Sequence, residues 1–160
     1  MTFSPELEAR FAKMLESYPP GRTRSAVVPM LMYAQDEVGC VSDELIEEVA
    51  KRCKVTPLQV NEVVGYYSMF HRKPLGKNHV QVCTNISCLI TGAEELMEHA
   101  EKKLGLGHKE VSADGQFSLE EVECMGACSW APAIQVNYDF HHNMTKEKLD
   151  RLIDDLRKAQ

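Results

Sequence analysis

Residues 79–96 read HVQVCTNISCLITGAEEL, and residues 117–137 read FSLEEVECMGACSWAPAIQVN. Each stretch opens on a run that alternates apolar and polar residues like a strand: His79-Val80-Gln81-Val82 in the first, Phe117 to Val122 in the second. Each run then meets two cysteines in a loop of small and polar residues. The pairs are Cys83-x4-Cys88 and Cys124-x3-Cys128, with 35 residues between them. Thiolates placed this way are metal ligands far more often than packing residues, and four of them suit one tetrahedral zinc or one [2Fe–2S] cluster. A bound metal holds the thiolates deprotonated at neutral pH. Gly126 permits a positive φ or a close backbone approach inside the second loop, and Thr84, Asn85 and Ser87 put short polar side chains beside the first pair. Four structural core cysteines would not fall into two close pairs in matching contexts. Spacing alone leaves zinc, iron–sulfur and an unmetallated thiol or disulfide arrangement open.

Working outward, Thr91-Gly92-Ala93-Glu94 resembles a capping box, and Leu96, Ala100 and Leu104 follow on one helical face. Gly105 and Gly107 end that helix, and Val111 centres a short strand. Asp114-Gly115 is a hairpin turn into the 117–122 strand. Residues 133–138 alternate as a fourth strand, and Thr145 caps a last helix with Leu149, Leu152, Ile153 and Leu156 inward. The order β-α-β-β-β-α predicts a four-stranded mixed sheet with two helices, thioredoxin-like in outline. No Cys-x-x-Cys occurs, which argues against thiol–disulfide catalysis on that fold.

The first half reads as helices. Ser4-Pro5 offers an N-cap and a proline at the first helical position, with Leu7, Phe11, Met14, Leu15 and Tyr18 at helical spacing up to Pro19-Pro20-Gly21. Val27, Met30, Leu31, Ala34 and Val38 mark a second helix that tolerates Pro29 only in its first turn and stops at Gly39. Ser42 caps a third helix with Leu45, Ile46 and Val49 inward. Thr56-Pro57-Leu58-Gln59 opens a fourth through Val60, Val63 and Val64. HRKPLGKN at 71–78 is a polar linker. The expected class is therefore α+β: a helical bundle over residues 1–76, then a thioredoxin-like domain over 77–160.

The chain of 160 residues carries a net charge of −6. Residues 1–78 balance 10 Lys/Arg against 10 Asp/Glu, whereas residues 79–160 hold 8 against 14. The half with the paired cysteines holds the whole excess. That argues against nucleic acid as a partner and suits a basic protein surface. No apolar run approaches the roughly 20 residues of a membrane span, and no secretory signal is visible, so a soluble cytoplasmic chain is expected.

The two quoted stretches, together with YYSMF at 66–70 and the capping box at Thr56, closely resemble the thioredoxin-like [2Fe–2S] subunit of bacterial NADH:quinone oxidoreductase, the E subunit of respiratory complex I. The resemblance covers nearly the whole chain. It implies that Cys83, Cys88, Cys124 and Cys128 ligate one [2Fe–2S] cluster. It implies a partner flavoprotein subunit that holds FMN and NADH, single-electron exchange with that flavin, and no independent activity. The helical region 1–76 would serve docking, and the chain would lie at the inner membrane through its complex without inserting into it. Related modules serve NAD-linked hydrogenases and formate dehydrogenases. A free thioredoxin-like ferredoxin and a zinc-stabilised binding module are the rival readings. The acidic excess predicts a low cluster potential.

Other residues carry weaker signals. Cys40 and Cys53 read as small buried or partly buried thiols. His141-His142 reads as solvated loop, and Glu94-Glu95 and Asp154-Asp155 as solvated helix faces. Trp130 has two readings, a shield over the cluster or packing beneath its loop. Tyr66 to Phe70 reads as either core or a partner-docking patch. No G-x-G-x-x-G follows a strand, so nothing in the chain proposes its own dinucleotide site.

Overall fold

The computed structural model describes residues 1–159. The chain divides into two compact units, Met1–Pro74 and Leu75–Gln160. Each unit closes its own core.

The first unit holds α1 (Pro5–Glu16), a short 3-10 turn (Thr23–Ala26), α2 (Val27–Val38), α3 (Asp43–Cys53) and α4 (Pro57–Tyr66). Local chemistry sets their ends. Ser4, Ser42 and Thr56 each accept a backbone N–H three residues on, and Gln59 completes a reciprocal box at Thr56. Pro29 lies in the first turn of α2, and Gly39 ends that helix at φ 87°. The inward faces gather Phe11, Met30, Leu31, Val41, Leu45, Val49 and Val60, all fully buried. Arg52 ties α3 to α1 by an ion pair to Glu8 (2.5 Å) and pairs within α3 with Glu48 (2.7 Å), and its guanidinium lies over the rings of Phe3 and Phe11. Hydrogen bonding to Arg52 holds the Glu8 carboxyl below the usual carboxylate range.

The second unit runs β1 (Asn78–Cys83), α5 (Ile86–Leu89), α6 (Ala93–Leu104), β2 (Glu110–Val111), β3 (Phe117–Val122), a 3-10 turn (Cys128–Trp130), β4 (Ile134–Val136), β5 (Asp139–His141) and α7 (Lys146–Lys158). The sheet order is β2-β3-β1-β4-β5. Only β1 and β3 are parallel; the other neighbours are antiparallel. One sheet face sends Val80, Val82, Phe117, Leu119, Ile134 and Val136 into a core with Leu96, Met97 and Ala100 of α6 and Leu149 and Ile153 of α7. Alternation turns His79, Gln81, Ser118 and Glu120 to the opposite face. There His79 Nδ1 meets Ser118 Oγ at 2.8 Å and Nε2 meets Glu120 Oε2 at 3.2 Å, while Gln81 donates to the same carboxylate oxygen at 3.1 Å. Satisfied hydrogen bonds are what let these groups lie buried.

Three sequence expectations change. The sheet has five strands, not four: the run through 138 stops at Val136, Asn137 takes φ 54°, and the chain returns as β5. His141 therefore ends a strand instead of lying in a solvated loop, and burial lowers its imidazole pKa. Thr91 does not cap α6. Its hydroxyl donates to the Ser87 and Cys88 carbonyls of the one-turn helix before it, and Gly92 in the left-handed region leads into α6 without a side-chain cap.

Gly76 sits where a Cβ would fall 2.6 Å from both Phe117 O and Ser118 N and against the Phe117 carbonyl carbon. Its N–H donates to Ser118 Oγ at 3.1 Å. Gly76→Ala forces β3 backbone to move, and overpacking of this kind costs about 1–3 kcal/mol. Calorimetry is expected to show the Tm of this unit falling by more than about 4 °C.

Candidate metal centre

Parallel pairing of β1 and β3 builds the site. Cys83 stands opposite Val122, so both strands end at the same edge of the sheet and both cysteine loops leave from there. The lead-in to β4 arrives at that edge too, since Val82 pairs with Ile134 and Cys83 N–H donates to Ala133 O at 3.2 Å. Thr84 N–H donates to Val122 O at 3.1 Å. Three segments far apart in sequence are thus pinned together by backbone hydrogen bonds.

Cys83 closes β1 and Cys88 lies in α5; both are buried. Asn85 starts that turn by accepting the Ile86 N–H at 2.7 Å. Cys124 and Cys128 are exposed, one in the loop after β3 and the other opening the 3-10 turn, against which α5 packs. Gly126 between them takes φ 76°, with open space where a Cβ would stand, and its N–H points at Cys124 Sγ at 3.4 Å. Gly126 therefore supplies the positive φ anticipated for the loop. Cys83 Sγ lies 4.0 Å from Glu123 O. Ala93, Ala127 and Ala133 fill the space around the buried pair.

Three of the four paired cysteines, Cys83, Cys88 and Cys128, influence one another electrostatically. Burial raises the Cys88 thiol above the usual cysteine range; a hydrogen bond with the Ala133 backbone opposes that rise, and the neighbouring Cys83 and Cys128 sulfurs add to it. Sulfurs that crowd one another in this way disfavour each other's ionisation, and a shared cationic centre reverses that penalty. The other two cysteines stand apart from this set. Cys53 is in the core of the first unit, 3.9 Å from Met30 Sδ, and burial pushes its thiol up to about 11. Cys40 is half-buried at the end of α2.

Trp130 packs against His142 with ring centroids 5.2 Å apart and is 54% exposed. Tyr66, Tyr67 and Met69 are exposed, whereas Phe70 joins the core, so the aromatic run is split between the two readings.

The sequence profile described as thioredoxin-like [2Fe–2S] ferredoxin matches residues 11–157. The chain belongs to that family. Its cofactor is one [2Fe–2S] cluster, which decides the tie that spacing left between zinc and iron. Among relatives, the second E-type NADH-quinone oxidoreductase subunit of Rhizobium meliloti is 41% identical over 160 residues, covering all of this chain and 92% of the relative. NADH-quinone oxidoreductase subunit 2 of Thermus thermophilus is 43% identical over 155 residues, covering 96% and 83%. The crystal structure of NAD+-reducing [NiFe]-hydrogenase in the H2-reduced state has the same fold, with a TM-score of 0.74 over 87% of this chain at 16% identity. The present chain spans 23% of that hydrogenase chain. Among the described residues of this thioredoxin-like ferredoxin, no helix is long and apolar enough to cross a membrane.

Sequence reasoning missed the polar contacts that tie the first cysteine loop to β3 and β3 to the segment before β2. Thr84 Oγ1 donates to Glu121 Oε1 at 2.8 Å, and Glu121 N–H donates to His108 Nδ1 at 3.0 Å. Nothing in the spacing of Thr84, His108 and Glu121 announces these bonds.

Proposed function

We propose that this chain is the electron-carrier subunit of an NADH:quinone oxidoreductase, with Cys83, Cys88, Cys124 and Cys128 as the ligands of its [2Fe–2S] cluster. The observation that carries the ligand assignment is the parallel β1–β3 pair, which delivers both cysteine loops to one sheet edge. The host complex is that of relatives 41% to 43% identical to this chain over nearly its full length. A bound cluster supplies reversible one-electron storage. The protein's part is to hold the four sulfurs, bury one pair of them and leave the other toward solvent.

The partner is the flavoprotein subunit that binds NADH and FMN. Two observations support such a docking face at the sulfur edge. The turn that bears Cys88 leaves Ile86, Leu89 and Ile90 exposed, and Trp130 follows Cys128; apolar side chains gathered in solvent at a functional edge are an interaction signature. The acidic excess of residues 79–160 asks for a basic rim on that partner. No side chain serves as acid, base or nucleophile in this reading, and the chain alone does not oxidise NADH. It is held at the cytoplasmic side of the inner membrane by its complex.

Metal analysis and EPR on anaerobically purified protein test the proposal. Two irons and two acid-labile sulfides per chain, with a rhombic one-spin signal after dithionite, are expected. One zinc and no iron would overturn it. Affinity purification from the native host is expected to bring down the flavoprotein; a cluster-loaded chain that emerges alone, as a homodimer, would favour the free ferredoxin.

A further inference from the structure

Among the side chains around the cysteine loops, one pair bridges the ends of the two parallel strands. Thr84 is the residue after Cys83, and Glu121 precedes Cys124 by three positions. The Thr84 hydroxyl donates to Glu121 Oε1 at 2.8 Å across the loop bases. The Glu121 backbone is fixed by pairing with Val82 of β1 and by its N–H, which donates to His108 Nδ1, and its carboxylate accepts from Thr84. Glu121 is exposed, and the Thr84 bond orients its carboxylate.

We infer that Glu121, held by Thr84, is a positioning residue that sets the redox potential of the cluster. The inference rests on the ligand assignment above. With four thiolate ligands the oxidised cluster is formally a dianion, and one added electron makes it a trianion. A fixed carboxylate beside the ligand loops disfavours that extra negative charge and lowers the potential. A mobile carboxylate would spend its time in solvent and be screened. The hydroxyl of Thr84 therefore matters through where it keeps the charge. The same bond ties the first cysteine loop to the strand that feeds the second.

The test is redox titration of the cluster-loaded full chain, followed by EPR, with iron content measured in parallel. Glu121→Gln removes the charge and keeps a group for Thr84 to bond. At a fixed ambient potential its reduced-to-oxidised ratio is expected to rise about threefold, equivalent to about 28 mV at 59 mV per tenfold. Thr84→Val keeps the charge and releases it, so a smaller rise is expected, and the double variant should add nothing to Glu121→Gln alone. Raising the salt concentration should shrink the difference. Asp155→Asn is the control. It removes an equal charge, paired with Lys158 at 3.2 Å, from the last turns of α7, whose Arg157 guanidinium lies over Phe117 at the start of β3, the opposite end of the strand from the cysteines. An unchanged potential in Glu121→Gln with full iron, or equal shifts in Glu121→Gln and Asp155→Asn, would overturn the inference. If Glu121→Gln loses iron, Thr84→Val decides alone: a raised potential upholds the inference, and a wild-type potential sinks it. A chain that holds zinc instead of iron fails at the ligand assignment, a different and recognisable outcome.

Discussion

Cys88→Ala leaves the purified chain with less than about a tenth of the wild-type iron and no reduced-state EPR signal. Cys88 is the most enclosed of the four sulfurs, 2% exposed. The apolar residues packed around it are Ala93, Ala127 and Ala133 with the partly buried Val122, Met125 and Ala131, and of these Met125 alone carries a donor atom, a neutral thioether that is a poor substitute for a thiolate. Burial of both Cys83 and Cys88 limits the access of a replacing water. Cys124→Ser has a milder result: a hydroxyl at an exposed position retains a poor ligand, so a weakened or reshaped signal is expected. Cys53→Ala is the matched control. Its thiol belongs to the other unit's core beside Met30, and the visible and EPR spectra should be those of the wild type. Equal loss of signal in Cys53→Ala and Cys88→Ala would undo the ligand assignment. Iron assay and EPR on the four proteins, prepared side by side, give the answer.

Phe11→Ala is expected to destabilise the helical unit by about 3–5 kcal/mol, the range for removing a fully buried aromatic side chain. Phe11 has no exposed surface and packs edge-on against Phe3 with centroids 5.4 Å apart. The Arg52 guanidinium over both rings loses half of its aromatic seat while its ion pairs to Glu8 and Glu48 remain. Each core lies within its own unit, so the damage should stay local. Thermal scans followed by far-UV circular dichroism should show an early loss of helix by more than about 12 °C, at temperatures where the visible absorbance of the cluster is still intact. Coincident loss of both signals would show that the two units unfold as one.

Much of this structure was legible because the signals were local. Ser4, Ser42, Thr56 with Gln59, and Thr145 each satisfy a backbone N–H a few residues away, and that chemistry needs no knowledge of the fold. The Asp114-Gly115 turn is of the same kind: Asp114 accepts from Gln116 N–H, and Gly115 takes φ 68°. Elements without such a signal were lost. Four residues of α5 cannot display a 3.6-residue period, so the sequence shows the turn that carries Cys88 as loop and offers the Thr91 hydroxyl to α6. β5 has three residues, two of them exposed, and so lacks the inside–outside alternation by which a strand is read. At the metal centre, the cysteines announced themselves by spacing, whereas the Thr84–Glu121 contact depends on strands 37 residues apart lying side by side.

The parallel pairing of β1 and β3 also places the centre late in the life of the chain. Cys83 and Cys88 leave the ribosome before the second pair and before the Ala133 carbonyl that holds Cys83 N–H. At about 5–20 residues per second, the 45 residues from Cys88 to Ala133 take roughly 2–9 seconds to synthesise. During that interval the first two thiols exist without their counterparts, as a half-site open to whatever thiophilic ion is at hand. On the proposed ligand set, all four thiolates stand together only once Cys128 has been synthesised and β3 has paired with β1.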